Sequence, residues 1–345
     1  MSSLYRQGIV QLAESGAARR MITRTPLSRR LVDRFVAGES LSEATAVAKG
    51  LNAAGLAVSL DYLGEAVGSP EEAMSARDAI IRALRGIATA GIRGNVSIKP
   101  TQLGLGRDEA LCFRNVADIL ETAGEVAREQ TDKIFVRLDM ESSDHTERTI
   151  RLLESLWGVG HRNVGTVVQS ALHRSIDDIR RLIRLGSKVR LVKGAYMEPR
   201  AIAYQSREDV YRMYLRGMKM LLRDGVYPAI ATHDEAIIDA TRRFAFEQGI
   251  PRDSFEFQLL YGVRRDLQQR LHEEGYHVRV YVPYGESWYP YLMRRLGERP
   301  GNLLFLADSV MKETPLRMLT KPIGLGAGFA TGVAATVAWR ATKSR

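Results

Sequence analysis

From Gly55 onward the sequence repeats one pattern eight times: a short run rich in Val, Ile, Leu or aromatics, in most cases followed by a helical stretch. The runs are Leu56–Leu60, Val96–Ile98, Ile134–Leu138, Gly165–Val168, Val189–Val192, Ala229–Ala231, Phe255–Leu260 and Val278–Val282. Their spacing averages about 30 residues, the length of a strand, a crossover and the return to the next strand. Eight such units in about 250 residues are what a (β/α)8 barrel needs. The rival is an open doubly wound sheet, whose dinucleotide sites carry a G-x-G-x-x-G after a strand. No such motif follows a strand here. The predicted class is therefore α/β, a TIM-like (β/α)8 barrel.

The polar residues support the barrel. They gather at or just after the ends of the runs: Asp61 and Glu65, Lys99, Asp139 and Glu141, Gln169, Arg190 and Lys193, Thr232-His233-Asp234, Gln258 and Tyr261, then Tyr281 and Tyr284. In a barrel these positions converge on one face, where barrel active sites lie.

Three segments follow from this reading: a helical arm at 1–54, the barrel at 55–307 and a Gly/Ala-rich tail at 308–345. In the arm, Ser40-Leu41-Ser42-Glu43 has the pattern of a capping box that opens a helix. In the tail, residues 323–339 carry no charge, and Gly324, Gly328 and Gly332 recur every four residues. A barrel-capping or disordered tail, a membrane-surface or self-association helix, and a true span are all open on that pattern. The net charge of +10 attracts phosphates, nucleic acid or anionic lipid. No basic run interleaved with aromatics stands out, so nucleic acid is not an expected partner. The single cysteine, Cys112, excludes an internal disulfide and a cysteine-based metal cluster. The N-terminal stretch has charges inside its apolar part and reads as a poor signal peptide.

Several constellations carry chemistry. Tyr281 to Pro300 begins as a strand, breaks at Pro283 and Gly285, and continues as a helix that Ser287 can cap. On that helix Tyr291, Arg294 and Glu298 lie on neighbouring faces, and Arg295 adjoins Arg294. Glu298 can orient a guanidinium, and two oriented arginines beside tyrosines suit a carboxylate gripped through parallel hydrogen bonds. Arg190 and Lys193 at the end of the fifth run make either two solvent-reaching rim charges or an electropositive floor. In the latter, Gly194 would let a flat ring or phosphate approach the backbone. Lys193 as a Schiff-base lysine is a further alternative. Lys99 and Asp139, both at strand ends, make an ion pair inside the site plausible. The His233-Asp234 pair is half of a metal site, but no H-x-H or H-E-x-x-H accompanies it, and no metal is expected.

Taken together, these motifs resemble the proline dehydrogenase family, in its monofunctional bacterial form. The similar stretches are Asp61-Tyr-Leu-Gly-Glu65, Lys99-Pro-Thr-Gln-Leu-Gly, Arg137-Leu-Asp-Met-Glu, Arg190-Leu-Val-Lys-Gly-Ala-Tyr196, Ala231-Thr-His-Asp234 and Tyr284-Gly-x-x-Trp-Tyr-Pro-Tyr-x-x-Arg-Arg-Leu. They span roughly residues 40 to 305. The resemblance implies a distorted (β/α)8 barrel that holds FAD at the strand C-termini and oxidises L-proline to Δ1-pyrroline-5-carboxylate. It implies hydride transfer from C5 to flavin N5, with electrons passing to a membrane quinone. Arg294, Arg295 and Lys99 would grip the substrate carboxylate, with Asp139 beside Lys99, and Tyr281 and Tyr291 would wall the ring. Glu65 would pair with Arg294 and gate the site, with Glu298 alongside. FAD would contact Met140, Gln169, Arg190, Lys193, Gly194, Ala195, Tyr196, Thr232 and His233. Asp139 and Arg190 are the expected catalytic pair. A cytoplasmic protein touching the inner face of the cell membrane is the implied location.

Overall fold

The computed structural model describes residues 32–64, 67–128 and 134–298, with the side chains of the last helix through Met293. The strands are β1 Ala57–Tyr62, β2 Gly94–Ile98, β3 Val136–Leu138, β4 Val164–Gln169, β5 Val189–Val192, β6 Ala229–Ala231, β7 Glu256–Leu260 and β8 His277–Tyr284. All pair in parallel, in chain order, and β8 closes on β1 with Ser59 opposite Tyr281. Helix α1, Leu41–Ala53, precedes the barrel. Helices α2 Pro70–Thr89, α3 Glu109–Arg128, α4 Ser143–Gly158, α5 Ser175–Leu185, α6 Arg207–Asp224, α7 Glu235–Glu247 and α8 Arg265–Glu273 follow β1 to β7 in turn. Helix α9, Trp288–Glu298, follows β8.

The expected (β/α)8 barrel is thus present. The capping box at Ser40 forms as its sequence suggests: Ser40 Oγ accepts from the Glu43 N–H, and the Glu43 carboxylate accepts from the Ser40 N–H at 2.9 Å. Pro70 occupies the first turn of α2, behind the N-cap Ser69. The tail at 308–345 lies outside the described residues. No helix among the described residues is long and apolar enough to cross a membrane.

The core is a ring around the strands. Val58 and Leu60, Val96 and Ile98, Val136 and Leu138, Val189 and Leu191, Phe257 and Leu259, and Val278, Val280 and Val282 all belong to one buried apolar cluster shared with the helices. Side chains alternate across a strand. The residues interleaved with these therefore face the barrel axis, and they are polar: Ser59 and Asp61, Ser97, Arg137, Arg190, Glu256 and Gln258, Arg279 and Tyr281. Barrel interiors are usually filled by layers of branched apolar side chains. This one is filled by ion pairs.

Candidate active site

Burying charges costs several kcal/mol each unless they are paired and hydrogen-bonded, and the Asp61–Lys99, Asp139–Arg190 and Glu256–Arg279 pairs meet that condition. At the lower end of the interior Arg279 Nε donates to both oxygens of Glu256, at 2.9 and 3.1 Å, while its Nη1 donates to the Val58 carbonyl at 3.0 Å. Glu256 also accepts from the Gln258 side-chain amide, whose oxygen in turn accepts from Arg190 Nε. Arg190 Nη1 donates to Asp139 Oδ1 at 2.7 Å and Nη2 donates to Ser97 Oγ at 2.9 Å. The Tyr281 hydroxyl donates to Asp139 Oδ2 at 2.8 Å, and the Arg190 guanidinium lies 5.4 Å from the Tyr281 ring centroid. One continuous chain of polar contacts therefore runs from Arg279 up to Tyr281.

Beside it, Lys99 Nζ donates to both oxygens of Asp61 at 2.8 Å. This corrects the partner expected from the sequence. Asp139 has Arg190 on one oxygen and Tyr281 on the other, so the pairs formed are Lys99 with Asp61 and Arg190 with Asp139. Burial raises the Asp61 carboxyl above the usual range, against the pull of the Lys99 charge and with a push from Asp139. Burial, then the Asp139 charge, lifts the Tyr281 phenol well above its ordinary value. Arg137 donates to the backbone carbonyls of Thr166, at 3.1 Å, and Lys188, at 2.6 Å. Burial and the neighbouring Arg190 charge pull it down to about 9, still cationic at neutral pH. Among the described residues the interior holds four cations, Lys99, Arg137, Arg190 and Arg279, with the carboxylates Asp61, Asp139 and Glu256 and, just past the end of β3, Glu141 beside them.

The rim above β4 to β6 has another character. Lys193 is three residues beyond Arg190, yet its side chain is 41% exposed and its Nζ donates to Asp234 Oδ2 at 2.7 Å. Asp234 Oδ1 meanwhile accepts from the Ala236 N–H and caps α7. Burial pushes this carboxyl up, but the Lys193 bond and charge and the α7 amides outweigh it, leaving it below its ordinary value. The two charges thus part company: Arg190 is buried in the interior and Lys193 lies at the rim. Gly194, at φ +104, has an internal reason to be glycine: a Cβ there would lie 3.0 Å from Gln169 Oε1 and 3.2 Å from the Ala171 Cβ. Gln169 Nε2 donates to the Glu141 carbonyl at 2.7 Å. The Thr232 hydroxyl accepts from the Asp234 N–H, and His233 Nε2 accepts from the Leu260 N–H at 2.9 Å. That acceptor role places the proton of a neutral His233 on Nδ1. Met140 packs with Ile150 and Val167 in a small apolar cluster. After Gly194 the chain turns outward: Ala195 is exposed, as are Tyr196 at 40%, Met197 at 56% and Ile202 at 37%.

Helix α9 starts at Trp288, and Tyr291 is 5% exposed on it. The backbone at Arg294, Arg295 and Glu298 is helical as expected. The side chains of these three, and all of Glu65, lie outside what is described. Ser97, Glu256 and Arg279 were not singled out from the sequence, while Asp61, Gln258 and Asp234 were named there without the partners they have here. The signal for the first three was present as polar residues at period two on strands whose alternate positions are apolar.

A family model described as Proline dehydrogenase matches residues 44–308. The proline dehydrogenase of Deinococcus radiodurans is 40% identical over 316 residues, covering 90% of this chain and 99% of that protein. Proline dehydrogenase 2 of Bacillus subtilis is 39% identical over 302 residues, covering 88% and 97% respectively. Among solved structures, proline utilization A (PutA) from Bdellovibrio bacteriovorus, inactivated by N-propargylglycine, matches with a TM-score of 0.72 and 26% identity. That match covers 87% of this chain and 36% of the PutA chain. The chain therefore belongs to the proline dehydrogenase family of oxidoreductases.

Proposed function

We propose that the protein oxidises L-proline to Δ1-pyrroline-5-carboxylate with FAD at the C-terminal rim of the barrel, and that a membrane quinone reoxidises the cofactor. The observation that carries this reading is the Arg190–Asp139–Tyr281 network. Arg190 is held by Ser97, Asp139 and Gln258, so its charge has a fixed direction before any ligand enters. Fixed charge in a water-poor site stabilises a developing negative charge without reorganising. The rim fits the cofactor's chemistry. A molecule with a flat apolar ring and a pyrophosphate needs apolar surface next to cations, and Tyr196, Met197 and Ile202 lie in one loop with Lys193. Met140, Gln169, Arg190, Lys193, Gly194, Ala195, Tyr196, Thr232 and His233 are the residues that would hold it. When bound, FAD supplies the two-electron acceptor for the hydride lost from proline C5.

The chain's own residues would bind and orient the substrate. Lys99, with Arg294 and Arg295 from α9, would take the carboxylate. Tyr281, pinned through its hydroxyl to Asp139, would form a rigid wall for the ring. Asp139 already accepts from two partners and so acts by holding them. Glu65 and Glu298 are proposed as gating groups. The rival Schiff-base chemistry at Lys193 draws no support from its surroundings: such lysines are desolvated, whereas Lys193 is half-exposed and bonded to Asp234. A quinone acceptor implies a cytoplasmic protein with a peripheral contact at the inner face of the membrane.

The test is direct. The purified protein should be yellow, its visible absorbance should bleach on anaerobic addition of L-proline, and the pyrroline should be trapped by o-aminobenzaldehyde. Turnover with vesicle-borne quinone checks the acceptor. Protein that stays colourless when reconstituted with FAD, or coloured protein that L-proline does not bleach, would overturn the reading.

A further inference from the structure

We propose that the strap Arg34–Glu39 is a positioning element for the carboxylate-binding end of the site, and that Glu39 acts through Trp288. The inference rests on the reading above that α9 brings Arg294 and Arg295 to the substrate. The strap touches the last two βα loops at three places. Its first contact is with Gly262, after β7. A Cβ on Gly262 would meet the Arg34 carbonyl oxygen at 1.7 Å, and Arg34 Nε donates to the Gly262 carbonyl at 3.3 Å. The second contact is a pair of backbone bonds over the turn from β8 into α9. The Ala37 N–H donates to the Pro283 carbonyl at 2.8 Å, and the Gly285 N–H donates to the Gly38 carbonyl at 3.0 Å. The third is at the first residue of α9, where Trp288 Nε1 donates to Glu39 Oε1 at 2.9 Å.

The strap is itself anchored. The Glu39 N–H donates to Glu43 Oε2 at 3.0 Å, the same carboxylate that closes the capping box of α1. Val36 and Ala37 are buried, at 1% and 3% exposure, and so is Trp288, at 3%. A fixed segment therefore grips the hinge from which α9 departs. The leverage is considerable. Position 294 lies six residues past Trp288, about 9 Å along the axis at about 1.5 Å per residue. A tilt of about 6° at Trp288 would move that turn by about 1 Å, enough to stretch a hydrogen bond of about 2.9 Å beyond its working range. Trp288 has one N–H and no other polar atom, so losing the Glu39 oxygen leaves a buried donor unpaired.

The experiment compares Glu39→Ala, Glu39→Gln, Trp288→Phe and the double variant Glu39→Ala/Trp288→Phe as holoenzymes with a soluble dye acceptor. Glu39→Ala and Trp288→Phe should each raise the proline KM about ten-fold with kcat changed less than about three-fold, the size of effect expected from one lost hydrogen bond to a charged group. Glu39→Gln keeps an oxygen acceptor and should restore most of the wild-type KM. The double variant should be no worse than either single, because both remove the same bond. Amide hydrogen exchange over residues 288–298 should quicken in Glu39→Ala and return towards wild type in Glu39→Gln. A Glu39→Ala enzyme that is merely less stable, with unchanged KM and unchanged exchange in α9, would overturn the inference, as would singles whose effects add. A wild-type protein that does not oxidise proline would instead overturn the reading beneath it. If Glu39→Ala does not fold, Trp288→Phe with Glu39→Gln decides the question by the same two measurements.

Discussion

Asp61 and Lys99 allow the architecture of the interior to be tested apart from its chemistry. Only 1% of the Asp61 side chain and 9% of the Lys99 side chain is exposed, and Nζ reaches both carboxylate oxygens at 2.8 Å. Asp61→Asn changes almost no volume but removes the charge that both bonds from the ammonium meet. Removing one member of a buried pair costs about 3–5 kcal/mol. Unfolding entropy of about 2.1 cal/mol/K per residue gives about 0.7 kcal/mol/K for this chain, so the melting temperature should fall by about 4–7 °C. Replacing both members, Asp61→Leu with Lys99→Met, takes away both charges of the pair together. That exchange is expected to be close to neutral, within about 1 kcal/mol, since buried pairs often gain nothing over well-packed apolar residues. The assay is thermal unfolding of the holoenzyme followed by circular dichroism at a fixed excess of cofactor, because bound ligand raises the apparent stability. Proline turnover is measured on the same samples. The double variant should recover the melting temperature and should not recover turnover, because the proposed carboxylate contact of Lys99 is gone. An Asp61→Asn protein melting within about 1 °C of wild type, or a double variant as unstable as the single, would refute the energetic argument.

Three further outcomes are expected. Gln258→Leu removes the amide that joins Glu256 to Arg190; it should lower kcat/KM for proline about ten-fold or more, in line with the cost of an unpaired buried donor, and an unchanged kcat/KM would show that Arg190 is held without it. Glu147 sits among Arg151, Arg174 and Arg181, and the Arg174 bond leads in drawing its carboxyl down to about 2. Its contribution is present above the ordinary carboxylate value and disappears as pH falls towards about 2, so the stability gap between wild type and Glu147→Gln should narrow through that window. Because the group is partly exposed, the gap at neutral pH should be below about 1 kcal/mol, and a gap that does not change with pH would contradict the assignment. The Cys112 thiol is fully buried and its pKa is pushed up to about 12, first by burial, so maleimide should label it only after unfolding; prompt labelling of the native protein would contradict this.

The barrel was legible because strands buried on their outer face by helices read as short apolar runs. The fifth and sixth runs match β5 and β6 residue for residue, and the other strand ends lie within a few residues of their runs. Which charges meet inside was not legible. Pairing there depends on the register between strands and on how far a side chain reaches across the barrel. Arg190 reaches from β5 to Asp139 and Ser97, leaving Asp61 to take Lys99. Gly194 shows a second limit. Its sequence context suggests room for a ligand, yet the space a side chain would fill is taken by Gln169. Glu256 and Arg279 went unassigned because each, read singly, is an ordinary strand residue.

A barrel with charged side chains inside it has consequences for how it folds. The Arg279 contact to the Val58 carbonyl joins residues 221 apart in sequence, the Tyr281 contact to Asp139 joins residues 142 apart, and the Arg190 contact to Ser97 joins residues 93 apart. The first two of these cannot form until the chain has been laid down into β8. Until then an incomplete ring holds charges that are neither fully hydrated nor paired, which disfavours any compact intermediate that shuts without its last strand. Long-range contacts of this kind also slow folding, since loop closure is paid for before the contact rewards it. The last strand and the first should therefore meet late and cooperatively, and the side chains proposed to receive the substrate are among those that decide whether the ring shuts.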